Sequence, residues 1–462
     1  NLLTATTSGK VTATIDTSET VTELATLNAD GGTNDLTIVI RAADATAATA
    51  AQLNTINDAT ALAVNLTNVT ALAGSSLADL GTLATAIGNN EFSNATGLTT
   101  IAVTDTTVDA TALAARISSY DTINGGATTG MTLASGATIE VDAGEIAAML
   151  ADETAGRLTI GDQAITVTGA ITVDNANLLG ATTTGKVTAT IDTSETVAEL
   201  ATLSADGGAN DLTIAISGAD ATTAGAAVVT VGNSDTASIT FAGVEFTTSG
   251  AQTFTADAYS ITGADSTFGS SNDNITFADG GADGGITLAD IADLTITTEI
   301  GGSGGGNIAV NVPIAGTSGD GDDATDVTMT AGSGTITVED ITTDINDVLL
   351  TSTGGISLDG SITTAVDSDE TGATSGVVTL TGPVTLAGNT TIDTDSTSNN
   401  GAVTFTSTVD GAKTLTITSG SGAVDFAGNI GATTAIGDLT VNSSAGTGAI
   451  TFSGNIGSNP AG

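Results

Sequence analysis

The feature that most constrains this chain is a stretch of forty residues that occurs twice. Residues 1–40 return as 177–216, at an offset of 176, and the copies differ only at Thr4/Gly180, Ser8/Thr184, Thr22/Ala198, Asn28/Ser204, Thr33/Ala209 and Val39/Ala215. A chain lengthened by copying modules, each burying its apolar face against its neighbours, is expected to be a repeat scaffold. Within the module, Val11, Ala13 and Ile15 alternate with polar residues and predict one buried face of a strand. Val21, Leu24 and Leu27 then recur at helical spacing, Thr20 and Glu23 have the spacing of a capping box, and Gly31-Gly32 supplies a stop, so a helix is predicted next. Leu36, Ile38 and Ile40 restore the two-residue period of a second strand. The later copy keeps Val187, Ile191, Val197, Leu200, Leu203, Leu212, Ile214 and Ile216 apolar.

Over 1–175 the two periods keep alternating. Helices are predicted at 46–57 (Leu53, Ile56), 75–87 (Leu77, Leu80, Ile87), 109–120 (Leu113, Ile117, Tyr120) and 142–151 (Ile146, Met149, Leu150), with short strands between. Such spacing fits a β/α repeat array with parallel strands. The duplicated module occupies 176–217. After it the helical signal fades, 218–372 reads as irregular β structure with Gly- and Asp-rich turns, and 373–462 reads as short β repeats. There the block Gly422-Ala423-Val424-Asp425-Phe426-Ala427-Gly428-Asn429-Ile430-Gly431 returns, 26 residues on, as Gly448-Ala449-Ile450-Thr451-Phe452-Ser453-Gly454-Asn455-Ile456-Gly457; Gly401-Ala402-Val403-Thr404-Phe405 opens the same way. Each block is expected to be one rung of a right-handed parallel β-helix, with Phe stacked on Phe. The fold class expected is therefore mainly β: an elongated solenoid with β/α repeats in front and β-helix-like rungs behind.

Composition narrows the function. Nine Phe and two Tyr in 462 residues predict a thin core of small and β-branched side chains. Fifty-two acids against six bases leave a net charge of −46, which excludes nucleic acid as a partner, disfavours an anionic membrane, and calls for divalent counter-cations. The absence of cysteine argues against a disulfide-stapled animal extracellular module. No run of 18 apolar residues offers a membrane-spanning helix. Asn1 is not an initiator and begins inside a unit whose second copy has residues before it, so the chain is expected to be part of something longer.

The G-A-V/I-x-F-x-G-N-I-G blocks, with Leu415-Thr416-Ile417 and Leu439-Thr440-Val441 between them, resemble the repeats of very large bacterial surface proteins of the filamentous-haemagglutinin and adhesin type. The Ala/Thr-rich front, as in Thr49-Ala50-Ala51-Gln52-Leu53-Asn54-Thr55-Ile56, is similar to repeats of long adhesins and S-layer proteins. This resemblance implies an exported, Ca²⁺-dependent, repetitive structural or adhesive protein on a bacterial cell surface. The intact calcium β-roll nonapeptide is absent; Phe268-Gly269-Ser270-Ser271-Asn272-Asp273 and Asp279-Gly280-Gly281-Ala282-Asp283 are partial echoes.

The chemical inventory is short. Asp320, Asp322, Asp323 and Asp326 put four carboxylates into a Gly-bounded loop, which reads either as a Ca²⁺ site or as a solvated acidic turn. Asp367, Asp369 and Glu370 form a second such group. With no His and no Cys, the common nucleophile–base pairs are missing, so catalysis is not expected. Self-assembly into a surface lattice or filament, with the chain as its own partner and cell-surface glycan as a further one, is the first reading. The alternative is the stalk of a giant adhesin. A third is a flat ligand face for ice or glycan, which requires Thr-x-Thr runs such as Thr166/Thr168 and Thr416/Thr418 to align on one side; their irregular spacing along the sequence speaks against it.

Overall fold

The computed structural model describes residues 7, 9–28, 33–204, 210–216, 229–263, 265–281, 284–289, 292–300, 304–317, 325–364, 376–395, 400–442 and 448–457. It is mainly β, with 40% strand and 17% helix, and is built on long parallel sheets. The chain packs as two compact units, one of residues 1–171 with 178–189 and the other of 172–177 with 190–462.

In the first unit short strands and helices alternate. Ala71–Ser75, Thr100–Val103, Gly130–Thr132 and Leu158–Thr159 form one parallel sheet, and Thr107–Asp109, Thr138–Asp142 and Ala164–Ile171 align in another. Helices Ala50–Asp58, Leu77–Gly88, Ala110–Ile123 and Ile146–Thr154 each pack on the next. The residue before each of the first three starts it. Thr49 and Gln52 make a capping box, Ser76 Oγ accepts the Asp79 amide at 3.1 Å, and an Asp109 carboxylate oxygen accepts the Ala112 amide at 2.8 Å. Their apolar positions, including Leu53, Ile56, Leu80, Leu83, Leu113 and Ile117, are buried. Such short helices need that packing to persist. Tyr120 adds a tie: buried with them, its hydroxyl donates to the Leu80 carbonyl at 3.0 Å.

The duplicated module takes the same local form in both places. Thr12–Thr14, helix Val21–Leu24 and Asp35–Thr37 correspond to Val187–Ile191, helix Val197–Leu200 and Asp211–Ile216. Both helices carry the complete capping box, Thr20 with Glu23 and Thr196 with Glu199. Each helix is a single turn, shorter than the Val21–Leu27 periodicity predicts, and Gly31-Gly32 lies outside the described residues. Surroundings differ. Val187–Ile191 lies beside Ala164–Ile171, with the Ile165 amide donating to the Lys186 carbonyl at 2.8 Å, and its inward residues are buried. Thr12–Thr14 belongs to a two-stranded sheet, with Asp35–Thr37 on one side, and Val11, Ala13 and Ile15 are only half-buried.

In the second unit the chain visits three parallel sheets in rotation. Glu245–Thr248, Gln252–Ala256 and Ala258–Thr262 are successive, and they enter the first, second and third sheet respectively; Ser266–Ser270, Ile275–Asp279 and Ile286–Leu288 repeat the order one coil later. The cycle continues to Ile450–Phe452 in the first sheet, and the bridge of Ile430 to Ile456 extends the second. Alternation makes this possible, because one side chain in two faces inward and most of the inward ones are Val, Ile, Leu and Phe. Register then stacks like on like. One inward column of the first sheet runs Phe246, Phe268, Ile296, Met329, Leu350, Leu380, Phe405, Phe426, Phe452. The interval between its members varies from 21 residues (Phe405 to Phe426) to 33 (Ile296 to Met329), and the column does not break.

The repeated block is explained by this stacking. Phe405, Phe426 and Phe452 lie ring on ring, with centroids 4.8 Å and 5.1 Å apart and planes within 6°. A Cβ on Gly422 would lie 2.0 Å from the Gly401 carbonyl oxygen, and one on Gly448 would lie 2.2 Å from that of Gly422, so backbone meets backbone where the motif has its first glycine. Asn429 Oδ1 accepts the Asn455 amide at 2.9 Å across the same gap. The core is less uniform than composition implies. Phe241, Phe246, Phe254, Phe268, Phe277 and Tyr259 gather in one cluster of mostly edge-to-face pairs, with Phe241 5.2 Å from Phe254 at 87° and Phe254 stacked on Phe277.

Candidate functional site

Of the predicted acidic groups, only Asp326 lies among the described residues; Asp320, Asp322, Asp323, Asp367, Asp369 and Glu370 lie outside them. Asp326 sits on Thr325–Gly332, half-buried, and its Oδ1 accepts the Asp347 amide at 2.9 Å and the Asn346 side-chain amide at 3.2 Å. It is one step of a corner ladder. Asp293 Oδ1 accepts the Asp326 amide at 2.8 Å, and Asp347 Oδ1 accepts the Val377 amide at 2.7 Å. Each carboxylate thus caps the coil that follows it. Among the described residues no group of three or more acids is placed to hold a metal ion.

Carboxylates are held in other ways elsewhere. Asp44 is buried, which pushes its carboxyl upward; the Arg41 guanidinium at 2.9 Å and the Val21 amide at 2.7 Å outweigh this and hold it below the ordinary range. Burial pushes Glu339 up, and Asp359, Asp340 and Asp279 add to the effect. The capping-box Glu23 and Glu199 are held low, first by the amides of Thr20 and Thr196.

A polar groove of about 570 Å³ lies on the helical side of the first unit, where Asn54, Asn57, Thr82, Thr85, Glu91 and Arg116 meet. The Arg116 guanidinium lies against Gly81, where a Cβ would sit 2.9 Å from Nη1. Thr82 and Thr85 donate their hydroxyls to the Ala78 and Gly81 carbonyls, and the Glu91 carboxylate accepts from the Asn57 and Asn89 amides.

The outward side of the first sheet carries a different pattern. Its two columns read Thr267, Thr295, Thr328, Leu349, Thr379, Thr404 and, beside them, Gly269, Thr297, Thr330, Thr351, Thr381. Between Glu245 and Asp425, which flank this stretch of the first column, all but Leu349 and Gly269 are threonine, and none is charged. Sequence spacing concealed this alignment, because the interval between successive members of a column varies from coil to coil. The pairs singled out from the sequence lie elsewhere: Thr166 and Thr168 face Glu140 and Asp142, and Thr418 lies beside Asp393. The signal that marks the aligned face is a threonine on each side of one core residue, as in Thr295-Ile296-Thr297, Thr328-Met329-Thr330 and Thr379-Leu380-Thr381.

No family model matches the chain, and neither a curated protein nor a solved structure matches it. No described helix is long and apolar enough to cross a membrane.

Proposed function

We propose that this chain is a non-catalytic structural component of a bacterial cell surface, exported and self-assembling into a layer or filament, with right-handed coils and bound Ca²⁺. The observation that carries this reading is where polar groups are spent. Buried hydroxyls go to corner carbonyls, Thr298 to Gly306 and Thr394 to Gly401, both at 2.8 Å, while corner Asp and Asn side chains cap the next coil. Those bonds hold one turn on another. The duplicated module and the charge of −46 support the same reading, since so acidic a stack gains from divalent cations.

Imaging of native particles tests it. Ordered sheets or fibres that loosen in EGTA are expected; isolated rods indifferent to chelation would favour the adhesin stalk instead.

A further inference from the structure

We propose that the two-column threonine face of the first sheet binds ice. In parallel sheets neighbouring strands repeat at about 4.8 Å, and side chains on one face at about 6.6 Å along a strand, so the columns form a rectangular net. At most of its points stand one hydroxyl and one methyl. The hydroxyls of Thr295, Thr328, Thr330, Thr379, Thr381 and Thr404 make no hydrogen bond among the described residues, unlike the buried hydroxyls of the corners. They are therefore left to order water at fixed spacing, while the methyls between them exclude water that does not fit the net.

Charge separates this face from the rest of the molecule. In a chain with 52 acids, the first column carries Glu245 and Asp425 on either side of this stretch but no acid from Thr267 to Thr404, and the carboxylates of Asp293, Asp326 and Asp347 are drawn off to the corner, each capping a backbone amide. A neutral lattice of oxygens is the surface such a net matches. Crystalline polysaccharide is the competing occupant, but pyranose rings are usually gripped by exposed aromatic rings. The one strongly exposed aromatic of the described residues, Phe452, belongs to an inward column. The inference stands apart from self-assembly, since the face is complete on a single chain.

The test uses the full chain in a supercooled buffered drop, with ice-crystal shape, thermal hysteresis and recrystallisation followed. Wild type is expected to facet the crystal and open a freezing gap. T328Y/T379Y should lose both activities while keeping its far-UV dichroism, and T337Y, on the second sheet, should keep them. T328V/T379V preserves shape and methyls, so it guards against misfolding of the bulkier pair; it should weaken the effect with an unchanged melting curve. No faceting by the folded wild type, equal activity of T328Y/T379Y, or retention on crystalline cellulose or chitin with none on ice would overturn the proposal.

Discussion

Phe426 and Phe452 occupy equivalent places in the motif but not equivalent surroundings. Phe426 is 1% exposed, with a ring on each side, whereas Phe452 is 41% exposed and has a ring partner on one side among the described residues, Phe426. Truncating Phe426 to Ala is therefore expected to cost about 3–5 kcal/mol in denaturant melts. The same change at Phe452 should cost well under half of that. Equal losses would mean that the described stack has the wrong surroundings for one of them. Gly422 gives a second residue-scale expectation. With a carbonyl only 2.0 Å from where a Cβ would sit, Gly422→Ala should destabilise by about 1–3 kcal/mol, although alanine is otherwise a good neighbour for strands. Asp44 supplies a pH signature. Its folded value is lowered, so the fold favours the ionised form, and the stabilisation is full above the unfolded Asp value of about 3.9 and fades as pH falls through the folded one. The stability gap between wild type and D44N should thus be flat from neutral pH to about pH 5 and close at lower pH. A gap that widened on acidification would contradict the assigned partners.

At the scale of elements, the duplicated module is a controlled comparison supplied by the chain itself. Identical residues from Val11 to Val21 and from Val187 to Val197 fold alike, yet Ala189 is 4% exposed and Ala13 is only half-buried, because Val187–Ile191 has Ala164–Ile171 beside it. Ala189→Asp is expected to cost about 2 kcal/mol or more and Ala13→Asp far less, as chemical melts of the two variants would reveal. Much of this level was legible in the sequence. Apolar spacing placed helices Ala50–Asp58, Leu77–Gly88, Ala110–Ile123 and Ile146–Thr154 within a few residues, since a helical period is written in neighbouring turns and needs no tertiary information. Helix Val173–Thr182 was missed, although Val173, Ala176 and Leu179 have its period and Thr172 Oγ1 accepts the Asn175 amide, because the copied block was read as beginning at Asn177. Alignment of the threonines was not legible. It depends on how Ile296 registers against Met329 across 33 residues, which no local spacing encodes.

For the whole molecule, a net charge of −46 opposes compactness everywhere at once. Raising monovalent salt from about 0.01 M to 0.15 M shortens the screening length from about 30 Å to about 8 Å and should raise the melting temperature. If Ca²⁺ is held by the acidic loops, it should raise it further than Mg²⁺ at matched ionic strength; identical curves would count against the ion sites while leaving the coil stack untouched.

Register has a consequence for how such a protein can change length. Phe405 and Phe426 are one full turn apart, as are Val403 and Val424, so excising 405–425 as a block would deliver Phe426 into the berth Phe405 vacated, next to Leu380. Both cut ends would meet on the same strand path, and every ladder would close over the gap. Lengthening or shortening by whole turns is therefore an edit this architecture absorbs, whereas removing a single residue from a strand turns its inner side chains outward.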